Sequence, residues 1–456
     1  MPVAEASTRS QAPRTPRIAL ITKLRAQNVG NEAISTLLID YLRNSLPDAE
    51  IRAIDRVSRA LLPLSRRQRH FGPDPVSALE SSCRRLLRRY PPDPAGPLAA
   101  KVTGSSVSVP GRRHFLLRSL DRTPLSKIAV RTWLTKAGLY GRGEFQRIMN
   151  TLMWADSVIW HPAGELYPNP RWTDSLPPLL LLRVAESCGA ATFALNQTIE
   201  SIEPPLQRIV GSVYSRMTAI TVREEQSLAR ALGMGVPEGK VAVAPDLSFL
   251  ASAEGPAPAH DIGHHDVPAG SILVAVEVST ARQGVQEWDD LFARIGAIGR
   301  PLVFVSNDIQ RDLPFARDMA ERHRITIIER QPAFRELMAM YRRASVIVAS
   351  RLHSSLLGFC AGVPVVTLEQ HSHKIGGIVS QLGFPIETED RRRGGWAERA
   401  AAKVEFAIKD GDALRVAIAA SLERQRERIH LAYKPMLESL ASIRKSGTSK
   451  RVSRSG

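Results

Sequence analysis

Cysteine is scarce in this chain: Cys83, Cys188 and Cys360 are the only three among 456 residues. An odd number, widely spaced, excludes a disulfide framework and a metal-type cysteine cluster, and points to buried thiols in a reducing compartment. Aromatic residues are few, at 5%. Long apolar runs are also missing; Leu179 to Leu182 is far too short to cross a bilayer. Met1 to Arg17 is polar, rich in Pro, Ser, Thr and Arg, and lacks the apolar core of a signal peptide. A cytoplasmic protein is expected, with residues 1–16 as a disordered arm. His260, His264 and His265 lie in a Pro/Gly-rich segment without a plausible fourth ligand, so no metal is expected.

What is present suits a globular protein of more than one domain. Hydrophobic residues make up 43% and charged residues 23%, ordinary values for a soluble fold, and the length allows two or three separate cores. The net charge of +17 is concentrated. Residues 56–145 hold 18 Lys+Arg against 5 Asp+Glu, and the tail from Lys445 adds four cations, which together account for the whole excess. Such patches suit anionic lipid surfaces, nucleic acid or acidic glycans, but solvated basic loops are the commoner explanation. Nucleic acid is not the expected partner.

From Arg17 the chain alternates strand and helix. Arg17 to Leu24 reads as a strand, Glu32 to Leu46 as an amphipathic helix and Ile51 to Ile54 as a second strand. The turn Asn28-Val-Gly-Asn31 lies between strand and helix. There, backbone N–H groups can hold an anion or a sugar hydroxyl, though Asn and Gly are also plain turn formers. Residues 56–145 break the rhythm and read as a basic insertion. Its segments 83–90 and 112–118 mix cations with apolar residues, as interfacial helices do; packing of a basic helix against the body is the other reading. Regularity returns at Gly143. Strands at 157–161, 191–195, 219–222 and 241–244 place Glu165, Asn196-Gln197, Arg223 and Asp246 near carboxyl ends. Residues 251–270 read as a linker, 271–385 as a second α/β series, and 386–456 as a helical extension with a basic tail.

The second series leads to Ala344-Ser-Val-Ile-Val-Ala-Ser-Arg-Leu-His-Ser-Ser. Ser345 to Ala349 is a buried strand, Ser354 to Ala361 a short helix ended by Gly362, and Val363 to Leu368 the next strand. If the residues joining strand to helix stay extended, Arg351 and His353 point the same way at the sheet edge where ligands collect in parallel sheets. A bare Arg-x-His after a strand also suits a surface or capping pair.

The ordered set of motifs resembles the polysaccharide pyruvyl transferase family. It comprises Asn28-Val-Gly-Asn31-Glu-Ala-Ile, Gly164-Glu165, Val222-Arg-Glu-Glu-Gln-Ser227, Pro245-Asp246, Ser350-Arg-Leu-His-Ser-Ser, Gly362-Val-Pro-Val and His373-Lys374. The resemblance spans about 17–385 outside the insertion. It implies two Rossmann-like domains facing a cleft in the B-type glycosyltransferase arrangement, phosphoenolpyruvate as co-substrate, no further cofactor, and a glycan or lipid-linked sugar as acceptor. It also implies His353 as the catalytic acid, with Arg351 beside it, and Arg223, Arg351 and Lys374 as donor-binding cations. Asn28, Asn31, Glu165 and Asp246 are acceptor-side or loop candidates. Glu165 suits a base or a turn cap, and Asp246 suits a turn or N-cap more than a base. Where family members have a run of glycines, this chain has His161-Pro-Ala-Gly164.

These residue types fit ketal formation from phosphoenolpyruvate. Guanidinium groups bind carboxylate and phosphate through paired hydrogen bonds. An imidazole can protonate the donor methylene, making the adjacent carbon electrophilic toward a sugar hydroxyl. Two alternatives stay open at this level: a nucleotide-sugar glycosyltransferase of the same fold, and a catalytically inactive protein that binds an anionic polymer or the inner membrane face through its insertion.

Overall fold

A computed structural model describes residues 15–23, 28–56, 74–89, 142–161, 166–168, 172, 174–251, 267–277, 285–369 and 374–445. The N-terminal arm, Glu165, His371, His373, most of the insertion and the histidines of the linker lie outside them.

Two six-stranded sheets, every recorded strand pair parallel, carry the fold. The first comprises β1 (Arg17–Thr22), β2 (Glu50–Asp55), β3 (Ser157–Trp160), β4 (Ala191–Gln197), β5 (Ala219–Val222) and β6 (Val241–Val243), in the order β2-β1-β3-β4-β5-β6. The second comprises β7 (Ser271–Ala275), β8 (Leu302–Phe304), β9 (Thr326–Ile327), β10 (Ala344–Ala349), β11 (Val365–Glu369) and β12 (Glu389–Asp390), in the order β12-β11-β10-β7-β8-β9. Each order reverses direction once, between β1 and β3 and between β7 and β10. A crevice opens beyond the strand carboxyl ends at such a reversal, and open α/β sheets bind ligands there. The central strands are apolar and buried on both faces, as helix-covered parallel sheets require.

The covering helices follow the apolar spacing of the sequence. In the first half they are α1 (Val29–Ser45), α2 (Pro75–Arg89), α3 (Arg142–Trp154), α4 (Leu176–Ser187), α5 (Pro204–Tyr214) and α6 (Glu225–Gly233). In the second they are α7 (Val285–Ala297), α8 (Ile309–His323), α9 (Phe334–Arg342), α10 (Leu352–Cys360), α11 (Lys374–Val379), α12 (Trp396–Lys409) and α13 (Gly411–Lys445). The second sheet extends past residue 385: β12 pairs with β11, and Trp396, Ala400 and Val404 of α12 enter the core of that domain.

One apolar cluster joins the halves. It runs from Ile18, Leu38 and Phe193 through Leu273, Ile347 and Leu357 to Ile429 and Tyr433 of α13. Helix α13 returns to the first domain. Arg426 donates to the carbonyls of Phe249 and Ala251, and Tyr433 packs against Tyr41.

Within the insertion, α2 buries Leu79, Cys83 and Leu86 and ties to α4 through Arg183 and Glu80, at 2.6 Å. Its Arg84, Arg85, Arg88 and Arg89 stay exposed. The apolar face of α2 is therefore used for packing, and segment 112–118 lies outside the described residues. Among the described residues no helix is long and apolar enough to cross a membrane. One thiol departs from expectation: Cys188 caps the exposed C-terminal end of α4 and is solvent-facing, while Cys83 and Cys360 are buried.

Candidate active site

The two switch-point crevices meet. From the first domain come the start of α1, His161 after β3, Asn196 to Thr198 at the end of β4, Arg223 after β5 and Asp246 after β6. From the second come Glu277 after β7 and Ser350 to His353 after β10. Several bonds cross the boundary: Val29 N–H donates to the Asn307 carbonyl at 3.0 Å, and the Gln381 side-chain amide to the Arg223 carbonyl at 2.6 Å. Lys374 pairs with Glu200 of the first domain.

At the centre is a buried cation–carboxylate pair. Arg223 Nη1 donates to Asp246 Oδ2 at 2.7 Å, while Nε and Nη2 donate to Thr198 Oγ1 at 2.9 and 2.6 Å. The Asp246 and Arg223 side chains are 0% and 1% exposed. Burial works to raise the Asp246 pKa, but Arg223, His353 and the Ser248 N–H together outweigh it and hold the carboxyl below the usual carboxylate range. Asp246 also caps the 3-10 turn Leu247–Leu250 by accepting from Ser248 N–H, so it is both the expected N-cap and the counter-ion of Arg223.

His353 approaches this pair from the second domain. Its Nε2 stands 4.0 Å from Asp246 Oδ2 and has no hydrogen-bond partner among the described residues. The other side of the ring lies on Gly30: a Cβ placed there would sit 2.5 Å from His353 Cβ and 2.6 Å from its Nδ1. Glycine is what lets the imidazole reach the pair. Burial first, then the positive charge of Arg223, Lys374 and Lys23, outweigh Asp246 and bring the His353 pKa down to about 4. With these surroundings the ring is neutral at neutral pH.

Arg351 lies elsewhere in the crevice. It caps α10 with extended backbone, and the helix begins at Leu352, two residues before the expected start. His353 is thus helical, and the alternation expected to align it with Arg351 does not apply. Arg351 instead makes a two-pronged pair with Asp312 of α8, at 3.2 and 2.6 Å, and stands 3.9 Å from Glu277. Asp312 is fully buried and also accepts from Ser306 at 2.5 Å. Burial would lower the Arg351 pKa, but Asp312 and Glu277 reverse this and raise it.

The start of α1 differs from the sequence expectation in a way that matters chemically. The helix begins at Val29, not Glu32, because Asn28 Oδ1 accepts from Gly30 N–H at 2.9 Å and Asn31 N–H at 3.4 Å. With Val29 N–H taken by Asn307, the backbone donors of that turn already have protein acceptors. Asn28 and Asn31 act here as cap and first-turn residues. Of the sequence candidates, the structure brings together Arg223, Asp246 and His353, with Lys374 close enough to influence His353; Asn28 caps the helix whose Gly30 lies against His353, and Arg351 forms a neighbouring cluster.

Sequence reasoning passed over Thr198, Asp312 and the site role of His161. The last was legible as a histidine ending a central strand. The other two have no local signal, because their partners are 25 and 39 residues away.

The family model for polysaccharide pyruvyl transferase matches residues 28–372. The chain belongs to the polysaccharide pyruvyl transferase family. It is a transferase with two Rossmann-like domains in the B-type glycosyltransferase arrangement. Among curated proteins none matches. Solved structures do: a putative UDP-N-acetylglucosamine 2-epimerase from Listeria monocytogenes has a TM-score of 0.54 at 11% identity, covering 95% of this chain and 98% of its own. A glycosyltransferase from Rickettsia africae ESF-5 has a TM-score of 0.51 at 13% identity, over 95% and 100%. An alpha,alpha-trehalose-phosphate synthase (UDP-forming) from Burkholderia vietnamiensis has 0.51 at 12%, over 94% and 99%. At such identities the likeness concerns the fold alone.

Proposed function

We propose that this pyruvyl transferase takes phosphoenolpyruvate as donor and two hydroxyls of a glycan or lipid-linked sugar as acceptor, releasing phosphate and leaving a cyclic pyruvate ketal. The observation that carries this reading is His353 Nε2, without a hydrogen-bond partner among the described residues and 4.0 Å from Asp246, beside the Arg223 guanidinium where the two crevices meet. Arg223 and Arg351 are each anchored on a buried carboxylate, so their orientation is set before a ligand arrives. A guanidinium has five N–H donors. Among the described residues Arg223 gives three to Asp246 and Thr198, which leaves two for donor oxygens, with Lys374 adding charge.

In the step assigned to His353, the ring gives a proton to the methylene carbon and the neighbouring carbon becomes electron-poor. One sugar hydroxyl adds there and loses its proton, the C–O bond to phosphate breaks, and the second hydroxyl closes the ring as its proton is lost. One of the two hydroxyl protons restores the imidazole and the other leaves with phosphate. Fixed cations stabilise the departing anion. In the cell this reading places the enzyme in the cytoplasm, with the basic 56–145 segment facing an anionic membrane that carries a lipid-linked acceptor.

The competing donor class is a nucleotide sugar, since one solved neighbour, Anabaena HepE, holds UDP. Calorimetry with phosphoenolpyruvate against a panel of nucleotides and nucleotide sugars separates the two. Binding of phosphoenolpyruvate alone supports pyruvyl transfer; binding of a nucleotide sugar with none of phosphoenolpyruvate refutes it.

A further inference from the structure

A second histidine stands at the same crevice. His161 follows β3 directly, at the reversal point of the first sheet, and its N–H donates to the Ile21 carbonyl of β1 at 2.9 Å, which fixes the backbone there. The residue is 1% exposed. Its Nε2 lies 3.4 Å from the side-chain nitrogen of Asn196. The orientation of that amide is determined by its other end: Asn196 Oδ1 accepts from the Leu247 N–H at 3.2 Å, and an N–H can only donate. The amide nitrogen therefore faces the ring and donates to Nε2, so Nε2 is the acceptor and the proton of the neutral imidazole sits on Nδ1. Asn196 takes up the left-handed backbone region, φ 60°, at this point, and its N–H donates to Thr221 Oγ1 at 3.0 Å. A strained, fully buried residue is committed to setting this tautomer.

The Nδ1–H so defined has no acceptor among the described residues. Buried donors are seldom left unmet in native proteins, and an unmet one beside a charged cluster marks a place for a ligand or an ordered water. The ring lies within electrostatic range of Asp246, Arg223 and His353. Burial first, and then Arg223 and His353, outweigh Asp246 and hold its pKa at about 3. His161 thus remains uncharged across the working range of any enzyme that uses His353 to move a proton.

We propose that His161 is a substrate-binding residue of this site, a neutral imidazole whose Nδ1–H is donated to an anionic oxygen of the donor. The assignment rests on the reading of phosphoenolpyruvate as that donor. It gives the two histidines distinct tasks. His353 exchanges a proton with the substrate, and His161 supplies a directed hydrogen bond without adding charge that would further depress His353. The following residue, Pro162, has no backbone N–H to offer, so the ring provides a donor where the chain cannot.

The test is calorimetric binding of phosphoenolpyruvate to the full-length wild type, H161F and H161N, with thermal melts of each. Phenylalanine keeps the ring volume and removes both nitrogens. Asparagine places an amide N–H near the Nδ1 position. The expected result is a rise in Kd of about tenfold or more for H161F with its Tm retained, and partial recovery in H161N. Equal affinity in wild type and H161F overturns the assignment while leaving the donor reading intact. If wild type binds no phosphoenolpyruvate, the donor reading fails and this assignment with it. Nitrogen-15 NMR of labelled histidine in the wild type gives a check independent of any variant. A protonated Nδ1 on His161 whose resonance moves on phosphoenolpyruvate addition supports the proposal, and a protonated Nε2, or no movement, overturns it.

Discussion

Binding of phosphoenolpyruvate should draw a proton onto the enzyme, and the size of that uptake follows from the surroundings of His353. Its protein surroundings alone hold its pKa at about 4, chiefly through burial. Charging the ring at pH 7 then costs about 4 kcal/mol, since each pH unit is worth about 1.4 kcal/mol. One unit of negative charge at about 4 Å returns about 4 kcal/mol at an effective dielectric near 20. The donor carries a carboxylate and a phosphate, so one of these groups near the ring brings its pKa to about 7, and the second raises it further. Calorimetric titrations at pH 7.5, in buffers of different ionisation enthalpy, read the protons taken up per donor bound. Between one half and one proton more should be taken up by wild type than by His353→Asn, and the difference should shrink above about pH 9. Identical uptake by the two proteins refutes the view that His353 is charged by its substrate, and with it the role of proton donor.

Other perturbations follow from single contacts. Gly30→Ala would bring a methyl 2.5 Å from His353 Cβ; such overpacking costs about 1–3 kcal/mol in a melt, and transfer should fall tenfold or more as the imidazole is displaced. Asp312→Ala leaves Arg351 without its buried partner, so stability should drop by about 3–5 kcal/mol in denaturant titration. Asp312→Asn, which keeps the shape, should mainly raise KM for the donor. Stability should also depend on mild acid. His161 and His353 are held at about 3 and about 4 by burial, below an unfolded value of 6.5. As pH falls below about 6.5 the unfolded chain takes up two protons that the folded one refuses, so stability declines by up to about 2.7 kcal/mol per pH unit down to about pH 4. Urea titrations between pH 4.5 and 7 measure the slope, and His161→Phe should roughly halve it.

The elements of the fold were legible because the central strands are short apolar runs and the helices repeat at helical spacing. Ser345 to Ala349 and the stripe Phe334, Leu337, Met338 and Tyr341 took the places their patterns assign. Boundaries failed where a cap decided them. Asn28 starts α1 three residues early by accepting two N–H groups, and the turn after β10 becomes helical at Leu352, which turns His353 away from the side predicted for it. The chemistry of the site was only half legible. Arg223 and His353 stand at strand ends and could be read from local order, whereas their meeting with Asp246 depends on the packing of two sheets. The carboxylate that holds Arg351 and the amide that fixes the His161 tautomer come from distant positions, and a single sequence contains no signal that pairs them.

The central claim is that His353 delivers a proton to the methylene of phosphoenolpyruvate as the sugar hydroxyl adds. Reaction in deuterium oxide with phosphoenolpyruvate and a cell-derived glycan, followed by mass spectrometry of the ketal, tests it directly. Release of phosphate with one deuterium in the ketal methyl group, both lost in His353→Ala, is the predicted result. Undiminished transfer by His353→Ala, or folded wild-type protein that forms no ketal on any acceptor, contradicts it.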